Sequence, residues 1–252
     1  MKKTFSGKTV LITGGSRGLG AAIAESFADL GADVAISYVA SKDKADAVIN
    51  KLEAKGIRAI AIRSDQADTK AAKPLVEETI RHFGKLDILV NNAAIAVQGQ
   101  TVDDAALDTE NLDRQWQVNV LGAVATTRAA APVLSDGGRI VFIGSLLGSN
   151  VPFKGAADYA GTKAAITGYA KGVARDLGGR GITVNVVQPG VMPTDMASEV
   201  LGDGPSDAFL DLHAIRRIAT LEEVAATVLF LAGPNGGYIT GGVVDVAGGL
   251  AI

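Results

Sequence analysis

Tyr159 and Lys163 stand four residues apart in the stretch Tyr159-Ala160-Gly161-Thr162-Lys163. On a helix this spacing puts both side chains on one face, with β-carbons roughly 5–6 Å apart. A free phenol titrates at about pH 10 and a neighbouring cation favours its phenolate. Such a pair can therefore donate a proton near neutral pH, where proton-transfer catalysis works best. The pattern is not sufficient by itself. The chain has four tyrosines, and a second one, Tyr38, also has a lysine four places on, Lys42. Only their surroundings can separate the two pairs.

The elements that must position these side chains alternate between short apolar runs and longer amphipathic ones. Strands are expected at Lys8–Ile12, Asp33–Val39, Arg58–Arg63, Leu86–Val90, Arg139–Ile143, Thr183–Gln188 and Gly242–Val246. Most are apolar on both faces, as in a parallel sheet covered on each side. Between them, Ile23, Phe27 and Leu30, and again Val76, Ile80 and Phe83, recur at i, i+4, i+7. Longer helices are expected at about 110–134, 157–177 and 221–231. The alternation predicts a single-domain, Rossmann-type doubly wound parallel α/β sheet of about seven strands over 1–252, with helices on both faces. Residues from about 190 to 216 fit no element, and an irregular stretch of that length suggests a functional lid.

Composition narrows the function classes. The 252 residues are 48% hydrophobic, enough for a large core, and the net charge of −3 mixes both signs. A nucleic-acid or anionic-membrane surface is therefore not expected. There are no cysteines, which removes disulfides and thiolate metal sites, and two histidines without a carboxylate cluster make no metal site. No segment approaches the roughly 20 apolar residues of a membrane span. The start, Met1-Lys2-Lys3-Thr4-Phe5-Ser6-Gly7, lacks a signal-peptide core. A cytoplasmic location is the expectation.

The first strand runs into Thr13-Gly14-Gly15-Ser16-Arg17-Gly18-Leu19-Gly20 and then into a helix. Strand, glycine turn and helix present backbone N–H groups and a helix N-terminus to a phosphate. The spacing Gly14-x-x-x-Gly18-x-Gly20 departs from the common G-x-G-x-x-G fingerprint. With this turn come, in order, Asn91-Asn92-Ala93-Ala94, Asn119, Ser145, Tyr159-x-x-x-Lys163 and Pro189-Gly190. Over about residues 6 to 249 the chain resembles the short-chain dehydrogenase/reductase family, and within it the 3-oxoacyl-carrier-protein reductases.

The resemblance implies a nicotinamide cofactor held by the glycine turn (Gly14, Ser16, Arg17, Gly18, Leu19, Gly20). Beyond the turn it implies Asp65 at the adenine and Asn91 at the adenosine ribose region, with Ala93 also among the cofactor-binding residues. It also implies Pro189, Gly190, Val191 and Thr194 at the carboxamide. Where the family usually ends its motif in glycine, this chain has Ala94, which narrows the space beside the nicotinamide. An NAD enzyme places an acid at the end of the second strand to bind the ribose 2′-OH. Here that end reads Ser37-Tyr38-Val39-Ala40-Ser41-Lys42, and Asp33 and Asp43 are misplaced for the role. Arg17, Ser41 and Lys42, near Tyr38, would face a 2′-phosphate, so NADPH is expected rather than NADH.

For catalysis, the resemblance implies that Ser145 holds a carbonyl oxygen and Tyr159 protonates it. Lys163 would bind the nicotinamide ribose and lower the tyrosine pKa, while Asn119 steadies a water. Ser149 stands past the strand end and is the weaker serine. Leu146, Leu147, Val151, Phe153, Met192, Met196, Val200, Leu201, Phe209 and Leu212 are the apolar residues available for a substrate pocket. His82 reads as surface, His213 as part of the lid, and Trp116 as core or interface. The expected activity is NADPH-dependent reduction of a small-molecule ketone or aldehyde. Carrier-protein docking is weakened by Pro132 and Ser135-Asp136-Gly137-Gly138, where relatives have basic residues, although Arg175 is kept. A non-catalytic nucleotide-binding regulator is the alternative from another class. Relatives imply a homotetramer or homodimer, with the apolar tail Val243–Ile252 at an interface.

Overall fold

Each strand sends alternate side chains into two different helix layers, which is why the strands are apolar on both faces. The computed structural model describes residues 3–201 and 204–250, without the side chains of 199–201. In β1 (Thr9–Ile12), Val10 and Ile12 enter one core cluster and Leu11 the other. Strands β2 (Asp33–Tyr38), β3 (Ala59–Arg63) and β4 (Leu86–Asn91) follow, then β5 (Leu134–Ile143), β6 (Thr183–Pro189) and β7 (Val243–Val246). All pair in parallel, in the order β3-β2-β1-β4-β5-β6-β7. The order reverses between β1 and β4, and the crevice beyond their carboxyl ends is where such sheets bind ligands.

Helices α1 (Gly18–Asp29) and α2 (Lys42–Glu53) cover one face. The other face takes α3 (Ala72–Phe83), then α5 (Ala123–Ala130) beyond α4 (Thr109–Trp116), and the long α6 (Ala157–Leu177). Short helices α7 (Asp195–Leu201) and α8 (Asp207–Leu210) lie in the expected lid, and α9 (Leu221–Ala232) joins α1. Thr220 and Glu223 form a reciprocal capping box that starts α9. Each fully buried Leu, Ile or Phe, such as Phe27 and Phe142, contributes about 1.5–3 kcal/mol of transfer free energy.

The helix expected at about 110–134 differs in two ways. It is interrupted by a π-helical turn at Gln117–Gly122, and it ends at Ala130. The wider turn carries Asn119 inward, and at Gly122 a β-carbon would collide with the Gln66 carbonyl oxygen. Leu134 instead begins β5, paired with Leu86 ahead of a register shift.

Candidate active site

The glycine turn and the turn after β4 are locked together at the switch point. Asn92 and Ala93 donate their N–H groups to Thr13 Oγ1 at 3.1 and 3.0 Å. Asn92 Nδ2 donates to the carbonyls of Thr13 and Gly14 at 2.9 and 3.1 Å. At Gly20 a β-carbon would run into the Gly14 carbonyl oxygen, so only glycine lets α1 approach the turn this closely. Helix α1 opens with no side-chain cap and no acidic residue in its first turn. Its free N–H groups and positive dipole end suit a diphosphate. Gly14, Ser16, Arg17, Gly18, Leu19 and Gly20 all line a cleft of about 410 Å³.

At one end of this cleft lie Tyr38, Ser41 and Asp65, as the sequence suggests. Lys42 does not join them: its Nζ bonds Asp46 Oδ2 at 2.5 Å, one turn along α2. An exposed lysine finds its nearest carboxylate at i+4 on its own helix, and spacing from Tyr38 has no bearing on that. Asn91 is also displaced from its expected role. It closes β4 with its side chain buried, and Nδ2 donates to Thr127 Oγ1 at 3.0 Å. Neighbouring strand residues face opposite ways, so Asn92 faces the cleft instead. Asp65 accepts from the Ala67 N–H at 2.9 Å and from Arg114 at 3.1 Å. Burial works against its charge, but these two donors together hold its carboxyl below the ordinary value. Arg114, from α4, lines the same end, which nothing in its local sequence signals.

At the other end, β5 delivers Ser145 and α6 delivers Tyr159 and Lys163, and all three line the cleft. Tyr159 lies beside Ser145, whose side chain acts on the phenol. Lys163 Nζ donates to the Ile143 carbonyl at 3.0 Å and lies 5.7 Å from the centre of the Tyr159 ring. Burial pushes the Tyr159 phenol up, against a lowering by the Ser145 side chain. Burial also lowers Lys163 to about 8. The expectation that the lysine pulls the tyrosine down is thus corrected for this arrangement: desolvation is the larger influence on both groups. Asn119 sits behind them. Its Oδ1 accepts from the Ile95 N–H at 2.9 Å, and its Nδ2 donates to the Ile95 carbonyl at 2.9 Å and to Thr162 Oγ1 at 3.2 Å. Its side chain is therefore occupied in joining the β4–α4 loop to α6, and it does not line the cleft. Trp116 Nε1 donates to Asp158 Oδ1 at 2.8 Å, fixing the residue before Tyr159.

A family model described as enoyl-(acyl carrier protein) reductase matches residues 14–251. The chain belongs to the short-chain dehydrogenase/reductase family of oxidoreductases. It is 43% identical to the cyclic-di-GMP-binding biofilm dispersal mediator protein of Escherichia coli, over 97% of each chain. It is 36% identical to a 3-oxoacyl-(acyl-carrier-protein) reductase of Staphylococcus aureus, over 96% of this chain and 98% of that one. Among solved structures, a short-chain dehydrogenase from Burkholderia cenocepacia in complex with NADP superposes with a TM-score of 0.93 at 46% identity. That match covers 99% of this chain and 100% of the other.

Within the family frame, Ala94 replaces the usual glycine without backbone strain. Among the described residues no non-glycine residue has positive φ, so its methyl simply joins the cleft wall. Pro189, Gly190, Met192, Thr194 and Met196 line the cleft, whereas Val191 does not; its carbonyl accepts from Ala219. Of the expected pocket residues, Met192 and Met196 line the cleft, whereas Leu146, Leu147, Val151 and Phe153 do not. The chain turns through Leu146–Gly148, and at Gly148 a β-carbon would meet the Lys163 backbone at 2.9 Å. This tight contact buries Leu146 in the core, half-buries Leu147, and carries Val151 and Phe153 to an exposed position. Ser149 turns to Gln188 at 3.0 Å, leaving Ser145 as the cleft serine. Val200 and Leu201 have side chains outside the described residues. His213 lies in the bend after α8, buried with its Nδ1 3.1 Å from the Phe209 carbonyl of that helix, and Leu212 is exposed. His82 packs edge-on against Phe83 at the end of α3. Among the described residues no helix is long and apolar enough to cross a membrane, and no cluster of three or more metal-ligating side chains exists.

Proposed function

We propose that this chain is an NADPH-dependent reductase of ketones or aldehydes, working as one domain. The observation that carries the reading is that Ser145, Tyr159 and Lys163 line one end of the cleft together, with Lys163 Nζ 5.7 Å from the Tyr159 ring centre. The cofactor fits the residues present: a glycine cradle that a β-carbon would fill, an uncapped helix start, and a cationic mouth at Arg17. The NADP-bound relative supports the same choice. Gly14 to Gly20 would hold the diphosphate, Asp65, Arg114 and Asn92 the adenosine end, and Pro189, Gly190 and Thr194 the nicotinamide end. The bound nicotinamide supplies a hydride.

The protein supplies orientation and a proton. The Ser145 hydroxyl holds the substrate carbonyl oxygen next to the Tyr159 hydroxyl, and Tyr159 gives its proton to that oxygen as it becomes an alcohol. The buried phenol stays protonated at neutral pH, so the donor form is the resting form. Lys163, still mostly an ammonium at pH 7 with its value at about 8, stabilises the phenolate left behind. Asn119 acts on this group through position, by tying Ile95 to Thr162 on α6. Self-association is supported by exposed Leu121, and by exposed Phe230 and Tyr238 near the edge strand β7.

NADPH oxidation screened over ketones, aldehydes, keto esters and 3-oxoacyl thioesters tests the reading. Turnover of a free carbonyl that vanishes in Tyr159→Phe while NADPH still binds supports it. Turnover confined to carrier-bound thioesters would move the chain to the carrier-protein reductases, which the 36% relative represents. The Escherichia coli relative makes cyclic di-GMP the ligand to titrate alongside. Tight binding of it with no carbonyl turnover would favour a regulator.

A further inference from the structure

Two cations from separate elements converge on a single carboxylate oxygen at the mouth of the cleft. Arg17 Nη1, from the glycine turn, is 2.9 Å from Asp195 Oδ2. Lys44 Nζ, from the first turn of α2, is 3.8 Å from the same oxygen. Arg17 and Asp195 both line the cleft, along with Tyr38 and Ser41. Lys42, the lysine that sequence spacing favours, is engaged with Asp46. An anionic oxygen shared by a guanidinium and an ammonium marks a place where a phosphate oxygen is held in the same way.

We propose that Asp195 is an internal counter-ion standing in for the 2′-phosphate of NADP(H), and that Lys44 is the second cation of that site. The inference rests on the NADP(H) reading above and adds the residues that decide between the two nicotinamide cofactors. Side-chain exposures of 61% for Arg17, 58% for Lys44 and 60% for Asp195 keep the carboxylate contact weak. A phosphate brings three acceptor oxygens and up to two charges, so it displaces a single carboxylate. Once the phosphate is bound, Asp195 is a like charge beside it and is driven off. Because Asp195 opens α7 directly after Thr194, the exchange links the adenosine end to the segment over the nicotinamide end. NADH has no phosphate to drive the exchange, so the Arg17–Asp195 pair persists.

Dissociation constants for NADPH and NADH, from nicotinamide fluorescence without carbonyl substrate, test this in Asp195→Asn, Lys44→Gln and Arg17→Ala. Binding of 2′-AMP by calorimetry gives a readout free of the nicotinamide. All three side chains are exposed, so the variants fold. Asp195→Asn should tighten NADPH and 2′-AMP by roughly two- to five-fold and leave NADH unchanged. Lys44→Gln should weaken NADPH by roughly five-fold, with NADH within about two-fold. Equal changes for both cofactors in Asp195→Asn, or weaker NADPH, overturn the counter-ion role. An unchanged NADPH-to-NADH ratio in Lys44→Gln overturns the role of Lys44. Arg17→Ala separates the layers. If it lowers that ratio while the other two do not, the inference fails and the NADP(H) reading stands. If it leaves the ratio unchanged, the NADP(H) reading fails with it.

Discussion

Tyr159–Lys163 and Tyr38–Lys42 share one spacing and end in opposite physical states. On α6 both partners are buried, 8% and 3% exposed, and burial lowers the lysine to about 8. At the end of β2 the chain leaves the strand before α2 begins, so the i, i+4 geometry of a helix does not exist between Tyr38 and Lys42. The Lys42 side chain is 68% exposed, and the hydrogen bond and charge of Asp46 raise its value instead. Desolvation sets the chemistry at one end of the cleft, and exchangeable surface charges set it at the other.

The sharpest way to break this contrast is to remove the buried phenol. Tyr159→Phe should cost about 10²–10⁴-fold in turnover with NADPH affinity nearly unchanged, read by steady-state kinetics and fluorescence titration. Asn119→Ala should cost about 1–3 kcal/mol in urea unfolding, because Ile95 loses partners for both backbone groups in a part-buried position. Turnover should fall with it, since the same contact joins the β4–α4 loop to α6.

Lys163 adds a pH test. It gives up its proton at about 8 in the fold, against 10.5 for an ordinary lysine. Between those values the unfolded chain binds the extra proton, so stability should rise with pH from about 8. Tyr159, raised above the ordinary phenol value of 10.0, opposes this only at still higher pH. Denaturant midpoints at pH 7, 8, 9 and 10 should show the rise, and Lys163→Met should flatten it. The smallest effect is expected at the lookalike lysine. Lys42→Ala should change NADPH affinity by less than about two-fold, as for an exposed ion pair. A large loss there would erase the distinction between the two pairs.

The strands were legible to within a few residues because alternating burial on two sheet faces leaves a continuous apolar run in the chain. The Ser145, Tyr159 and Lys163 set was legible because a strand end and a helix turn carry it locally. Leu146, Val151 and Asn91 were misjudged for a shared reason. Each lies within a residue or a few of a cleft residue, yet a strand register or a tight turn sends its side chain elsewhere. Arg114 and Asp195 could not be found from local pattern, because each reaches the cleft from an element distant in sequence from its partner, Asp65 or Arg17.

The amino-acid sequence alone determined the parallel layered sheet, the glycine turn between β1 and α1 and the placing of Ser145, Tyr159 and Lys163 on a strand end and one helix face, since periodicity and short-range spacing fix all three. The tertiary structure alone decided which side chains share the cleft, and how far burial moves Tyr159 and Lys163. It also decided that Arg17 and Lys44, not Lys42, meet Asp195 at the mouth. Those outcomes depend on distances between segments far apart in the chain and on the water they exclude.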